Sequence, residues 1–349
     1  MREIILSQLE ANRRLDKFLA HYLNRAPKSL VHKLLRKKRV KLNGKRAHGD
    51  EIVKAGDLVG LYLAPDTLAE LRAEGASVLP PAKPVNVVYE DEHILLLNKP
   101  AGLLTHSDKP GNSNEFDTTE KFDNSADSSN YAKKVNFSNK GKQDTLVDRM
   151  LFYLHEKGEF VPFQTTFTPA VCNRLDRNTS GLIICGKQLP ALQNLNAAFA
   201  AHVVDKIYLA VVHGKLLGND SLRGFLHKDK KVNRSSVTNA ENGEAVHTEY
   251  ESVAVGNGFS LLRIRLVTGK SHQIRAHLAA LGHPLAGDIK YGGKQISSAR
   301  GHLLHCYSIQ FSPKAKGLEY LNGRLFSAPM PKTFAQFLAN VNINFGGVL

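Results

Sequence analysis

Asn173-Arg174-Leu175-Asp176-Arg177-Asn178-Thr179-Ser180-Gly181 sets a lone carboxylate between two arginines, close before a Thr-Ser-Gly turn. An aspartate held by guanidinium groups stays ionised at neutral pH and below. Ionised and held in place, it can act as a nucleophile, a base or a salt-bridge anchor. The loop alone leaves these three roles open. Leu182-Ile183-Ile184-Cys185 follows at once, an apolar run of strand length.

Three further segments carry polar residues inside strongly apolar surroundings. They are Asp205-Lys206-Ile207-Tyr208-Leu209-Ala210, Thr268-Gly269-Lys270-Ser271-His272-Gln273-Ile274-Arg275-Ala276-His277, and Gly282-His283-Pro284-Leu285-Ala286-Gly287-Asp288 with Tyr291-Gly292. Buried polar groups must be satisfied by one another or by a ligand. Arg275 is a candidate partner for Asp176, since a guanidinium reverses the rise in pKa that burial imposes. The plain alternative is a structural salt bridge. Lys206 and Tyr208 lie two apart on a strand and share a face. For Tyr208 the plain alternative is a core aromatic whose hydroxyl finds a partner.

Two other chemistries are set aside. His272, His277 and His283 have no carboxylate or thiolate at ligand spacing, and no HExxH or Cys/His signature exists, so no metal is expected. His272 and His277 are expected to cap or brace backbone. Gly181 to Lys187 fits G-x-x-x-x-G-K, but Gln188 stands where Ser or Thr would hold magnesium. The four intervening residues are strand-like, so their amides belong to a sheet ladder and cannot cradle phosphate.

The elements that must position these residues follow from periodicity and turn signals. Residues 1–63 read as a small module: a helix on Leu15, Phe18, Leu19 and Tyr22, and a second beginning at Pro27-Ser29. A strand from Val40 then enters an Asn43-Gly44 turn. Residues 64–84 read as a Pro-punctuated linker and 85–335 as a larger domain, with 336–349 as a tail. Strands are expected at 85–91, 93–99, 207–212 and 261–266, and helices from Thr145 and over 189–201. Residues 108–142 carry six acids, six bases and one aliphatic residue, Val135. Such a stretch cannot bury enough apolar area to order itself, so a flexible insertion is expected.

Net charge is +15 over 349 residues. Residues 1–50 hold fourteen Lys/Arg against four Asp/Glu, a net of +10 and thus two thirds of the excess. Arg36, Lys37, Arg39 and Lys41 converge on one helix end and one hairpin, which suits a phosphate-tracking surface. The balance points to nucleic acid before acidic membrane. Three widely spaced cysteines form no disulfide framework, which fits a reducing cytoplasm. No apolar run reaches eighteen residues, so no membrane span or membrane partner is expected.

Residues 12–63, through Arg14-Leu15-Asp16-Lys17-Phe18-Leu19 and Val40-Lys41-Leu42-Asn43-Gly44, resemble the RNA-binding domain named after ribosomal small-subunit protein four. The Asp176 loop, Lys206-Ile207-Tyr208-Leu209-Ala210, Thr268 to Arg275, Gly282 to Asp288 and Leu303-Leu304-His305 together resemble the RluA-type pseudouridine synthases, in that family's order. The resemblance covers 85–312 apart from the insertion. It implies an α+β fold, with a mixed, largely antiparallel central sheet, flanking helices and the site in a central cleft, plus the small N-terminal α/β module. It implies Asp176 as nucleophile at uridine, Arg275 as its ion-pair partner, and Tyr208 stacking on the base, with a further role as general base open. Arg174, Leu175, Lys206, His272 and Gln273 would contact substrate, Arg174 filling the space left by a flipped base. No cofactor or metal is implied, because the isomerisation needs neither redox change nor energy input. Asn173 stands where the family has histidine, so altered bracing of the loop is expected.

Members with this appended module resemble enzymes of large-subunit rRNA. The expected partner is therefore RNA, first 23S rRNA or its pre-ribosomal particles, and not DNA. A monomer is expected. A tRNA-directed synthase, a non-catalytic RNA-binding or ribosome-assembly factor, and a base glycosylase are the alternatives.

Overall fold

The structure is a computed structural model that describes residues 1–7, 10–72, 82–107, 144–161, 167–229, 232–238, 243–296 and 301–344. The expected insertion at 108–142 and residues 73–81 of the expected linker lie outside the described residues, as do residues 345–349.

The N-terminal module runs β1 (Arg2–Ile5), β2 (Arg13–Arg14), α1 (Leu15–Tyr22), α2 (Lys28–Arg36), β3 (Val40–Leu42), β4 (Lys45–Arg46), β5 (Ile52–Val53), β6 (Leu58–Leu61) and α3 (Pro65–Leu71). Its main sheet has the order β1-β6-β3-β4. Val31, Leu34 and Leu35 recur at helical spacing and put one face of α2 into a core with Leu15, Phe18 and Leu19. The opposite face and the helix end leave Arg36, Lys37 and Arg39 exposed. Asn43 and Gly44 both have positive φ, 50° and 77°, which the tight turn between β3 and β4 requires. Asn43 Oδ1 also accepts from Leu58 N at 2.8 Å, tying the turn to β6.

The stretch read as linker opens with a helix. Leu68 and Leu71 of α3 pack on the module's core, and Arg72 Nη1 donates to the Tyr22 hydroxyl at 2.7 Å. Sequence reading missed this because three of the four prolines lie beyond the helix and the fourth, Pro65, is tolerated at its first position.

The larger part contains β7 (Val87–Glu90), β8 (Ile94–Lys99), α4 (Leu146–Glu156), β9 (Ala170–Val171), β10 (Ser180–Gly186), α5 (Leu189–Ala200), β11 (Val204–His213), β12 (Asn219–Asp229), β13 (Arg234–Thr238), β14 (Glu244–Gly256), β15 (Phe259–Leu266), α6 (Gln273–Ala280), β16 (Leu304–Phe311), β17 (Leu325–Ser327) and α7 (Lys332–Asn340). Their sheet has the order β13-β12-β14-β15-β11-β16-β10-β8-β7, with β9 on β10 and β17 on β16. Among the described strands, only β10 and β16 pair in parallel, Ser180 opposite His305 and Gly181 opposite Cys306. The architecture is the expected α+β arrangement. Every residue of β10 is buried, so this strand reads as a continuous apolar run, whereas β15 alternates with exposed Arg263 and Arg265.

Residues 336–344, read as part of a tail, are packed instead. Phe337, Leu338, Val341 and Ile343 are buried with Leu209, Val211 and Leu261 from the sheet. These apolar residues follow helical spacing, a signal the short segment offered too briefly to register.

Candidate active site

The Asp176 loop bridges β9 and β10, and the sheet floor determines its shape. Gly181 takes φ 112°, and a Cβ there would lie 2.2 Å from Cys306 O, so the parallel pairing with β16 demands glycine. The two residues before it reach into the C-terminal segment. Thr179 Oγ1 bonds His302 Nε2 at 2.8 Å, and the Ser180 hydroxyl lies 2.9 Å from His305 Nδ1. Because His305 Nε2 faces the Ala328 carbonyl at 3.2 Å and must donate to it, Nδ1 accepts from Ser180.

The loop is also held from β8. Lys99 is fully buried, and its Nζ donates to Pro100 O at 3.1 Å, Leu103 O at 2.7 Å and Arg177 O at 3.0 Å. Burial pushes this amine down to about 7, with Asp176 pulling it back up. Three carbonyl oxygens each need one N–H, so the ammonium is the form that fits. Thr105 Oγ1 donates to Leu175 O at 2.9 Å. Asn173 braces the loop with its side chain: Nδ2 donates to Leu182 O and Oδ1 accepts from Ile184 N.

Facing the loop is α6. Its first residues are preceded by His272, whose φ of 59° and ψ of 14° are left-handed. That conformation turns the chain sharply and aims the ring back at Asp176. His272 Nε2 lies 3.7 Å from Asp176 Oδ2. One turn on, Arg275 Nη1 donates to the same Asp176 oxygen at 2.8 Å. Arg275 Nε and Nη2 are taken by Asp288, at 2.7 and 2.9 Å. The guanidinium is thus shared between a fully enclosed carboxylate and one whose side chain keeps 26% exposure. Tyr291 stacks against the guanidinium, with the Arg275 carbon 4.8 Å from the ring centroid.

Burial alone would raise the Asp176 carboxyl; the electrostatic influence of His272, Arg275 and His302 and the Arg275 hydrogen bond outweigh it and hold the group below the usual range. Arg275 is also raised, its two carboxylate partners overcoming burial. Asp176 is therefore a charged, partly open carboxylate whose close donor among the described residues is Arg275, on Oδ2, an arrangement that leaves its second oxygen for another reaction partner.

Tyr208 is buried on β11, with 5% exposure. Burial, Cys306 and the charge of Asp176 push its phenol well up, so it stays protonated at neutral pH. Lys206 shares the buried face of β11, its Nζ 5.5 Å from the Phe199 ring centroid. Gln273 is spent on protein: its amide meets Thr268 Oγ1, Lys270 N, His247 O and Thr248 Oγ1. Its place next to the site is bracing, contrary to the expectation of substrate contact. Arg174 is exposed beside Asp176, and Leu175 is buried under it. Arg36 ends α2, Lys37 and Arg39 lie in the connection to β3, and Lys41 is on β3 of the N-terminal sheet, its Nζ 4.9 Å from the Tyr62 ring centroid. A cavity of about 770 Å³ opens behind the loop, lined by Gly102, Arg149, Arg177 and His302, but Asp176 is not in its wall.

Sequence reading missed Asp288, Tyr291, Lys99 and His302 as site residues. Asp288 and Tyr291 lay in a segment that stood out for polarity, and a buried guanidinium with three donor positions was the signal that a second carboxylate was needed. Among the described residues, no group of three His, Cys, Asp or Glu could hold a metal ion. No helix among them is long and apolar enough to cross a membrane.

With this geometry in view, a family model described as RNA pseudouridylate synthase matches residues 93–280 and an S4 domain model matches 13–59. The chain belongs to the RNA pseudouridylate synthase family and is an RNA pseudouridine synthase with an N-terminal S4 domain. It is 27% identical over 343 residues, 98% of each chain, to a Bacillus subtilis protein described as the uncharacterized RNA pseudouridine synthase YlyB. It is 30% identical to the ribosomal large subunit pseudouridine synthase C of Rickettsia felis, over 88% of this chain and 90% of that one. The fold is similar to that of human RNA pseudouridylate synthase domain containing 4, with a TM-score of 0.52, 17% identity, and coverage of 74% of this chain and 93% of that one.

Proposed function

We propose that this enzyme isomerises uridines of large-subunit ribosomal RNA, with Asp176 as nucleophile. The observation that carries the reading is the Asp176–Arg275 pair: a carboxylate kept charged by one donor while its side chain stays partly open. Relatives described as ribosomal large subunit synthases support the choice of RNA.

The target base leaves its stack to reach the pocket. Asp176 then attacks either the anomeric carbon or carbon 6 of the base. Arg275 keeps the carboxylate ionised, and Tyr208 packs against the uracil face. Arg174, exposed beside the nucleophile, occupies the space the base vacates. The cationic end of α2 and the β3–β4 hairpin, with Arg36, Lys37, Arg39 and Lys41, hold phosphates and fix register without reading sequence. In this reading residues 1–72 form the binding module and the rest the catalytic domain. The protein works as a cytoplasmic monomer on rRNA or pre-ribosomal particles.

Asp176→Asn tests the assignment. Pseudouridine formation in rRNA should fall at least about 10³-fold while RNA binding persists. Wild-type turnover by the variant would remove Asp176 from the mechanism. A deletion strain whose rRNA pseudouridines are unchanged but whose tRNA has lost one would redirect the substrate to tRNA.

A further inference from the structure

Tyr291 joins three parts of the molecule. Its hydroxyl oxygen accepts from Ser235 N at 2.8 Å, at the start of β13 on the sheet edge. The same hydroxyl lies 2.9 Å from His272 Nδ1. Its ring carries the Arg275 guanidinium on one contact and that of Arg234, at 5.2 Å, on another. A buried phenol has one proton to give. The Ser235 amide brings a proton of its own, and the Ser235 hydroxyl donates to Ser271 O at 3.0 Å. His272 Nδ1 is then the acceptor for the Tyr291 proton.

We propose that Tyr291 is a positioning residue that fixes the tautomer of His272, so that an Nε2–H, and not a lone pair, faces Asp176 and the substrate oxygen beside it. The proposal rests on the reading of Asp176 as nucleophile.

The consequence is chemical. If Asp176 attacks the anomeric carbon, the C1′–N1 bond breaks and its electron pair goes to the uracil ring, largely onto O2. If Asp176 attacks carbon 6, the C5–C6 π pair moves to O4. Both routes put negative charge on a uracil oxygen, and an oriented N–H donor stabilises such charge as it develops. The 3.7 Å between His272 Nε2 and Asp176 Oδ2 is too long for a direct hydrogen bond and leaves the N–H for a third atom. Burial lowers the His272 imidazole, Asp176 opposes this, and Arg275, Lys290 and Lys228 lower it further, so the ring is neutral and its tautomer is decided by hydrogen bonds.

The test uses the full-length protein with ring-¹⁵N histidine, and the His272 signal is assigned by its loss in His272→Gln. Long-range ¹H–¹⁵N spectra should show the Nε2–H tautomer in the wild type and its loss in Tyr291→Phe, which keeps the ring under Arg275. kcat on rRNA should fall about 10-fold or more, with KM little changed. Glutamine presents an amide N–H near the Nε2 position, so His272→Gln should retain more activity than His272→Leu. Tyr291→Phe should then add no further loss in the His272→Gln background. An Nδ1–H tautomer in the wild type, with the phenol proton turned to Ser235 Oγ, overturns the proposal. So does full additivity of the two substitutions in a folded double variant. The spectra need no substrate, so a wild-type protein that made no pseudouridine would refute the catalytic reading while the tautomer result still judged this one.

Discussion

Arg275 gives Asp176 a single N–H, from Nη1 at 2.8 Å, across 99 residues of sequence. Its other two nitrogens donate to Asp288, which is 3% exposed. A guanidinium held bidentately along its Nε–Nη2 edge cannot swing, so Nη1 points where Asp288 sets it. The nucleophile candidate is thus oriented by a carboxylate that it does not touch.

Asp288→Asn therefore should damage both stability and turnover. Removing one charge from a buried pair leaves the guanidinium under-compensated, at a cost of about 3 kcal/mol. Denaturant unfolding should show that loss, and kcat should drop further than KM rises. An unchanged midpoint and kcat would mean Arg275 holds its place without Asp288.

Asp176 is held below the ordinary carboxylate range, so it stays ionised as pH falls past 5. The stabilisation this pair gives is present above the unfolded-state pKa and is lost only as pH falls through the lower, folded value. kcat/KM for uridine isomerisation should be flat from neutral pH down to about 5. An acid limb with a midpoint near 6 would show a different group in control.

Acid should nonetheless unfold the protein, for another reason. Burial pushes His277, His302 and His305 each down to about 4. Their unfolded values lie near 6.5, so the unfolded chain takes up protons first as pH drops from 6.5 to 4. Each histidine costs stability across that window, about 3 kcal/mol by its lower end. Thermal melts from pH 7 to 4.5 should show a steady fall in Tm, and replacing His305 with Gln should shrink the slope. A flat Tm would contradict neutral buried imidazoles.

The module's cations predict a salt effect. Replacing Arg36, Lys37, Arg39 and Lys41 with Ala should weaken rRNA binding and flatten its dependence on salt, by about one slope unit per lost phosphate contact. A slope equal to that of the wild type would place RNA elsewhere.

Much of the site was legible because four polar segments sat in apolar runs. Asp176 and Arg275 had to be satisfied, and the pairing followed from chemistry. Tyr208 was legible as a strand residue sharing a face with Lys206. Asp288 was not assigned, since nothing local shows that Arg275 has two partners. Gln273 was misjudged because its acceptors, Thr248 and His247, come from a strand 25 residues upstream. The helix over 273–280 buries Gln273, Arg275 and His277 along with its apolar residues, which hides its periodicity. The packed end of the chain was missed because its helical pattern is brief and its partner strands, β11 and β15, lie more than 70 residues upstream.

Thr179 and Ser180 rest on His302 and His305, and Gly181 fits only against the backbone of Cys306. A stop codon after Lys290 would spare Asp176, Tyr208, Arg275 and Asp288. It would also delete β16, the strand between β10 and β11. The truncated product would keep every proposed reacting group and lose the surface that gives their loop its shape. Genetically, the segment that follows Lys290 should behave as part of the active site.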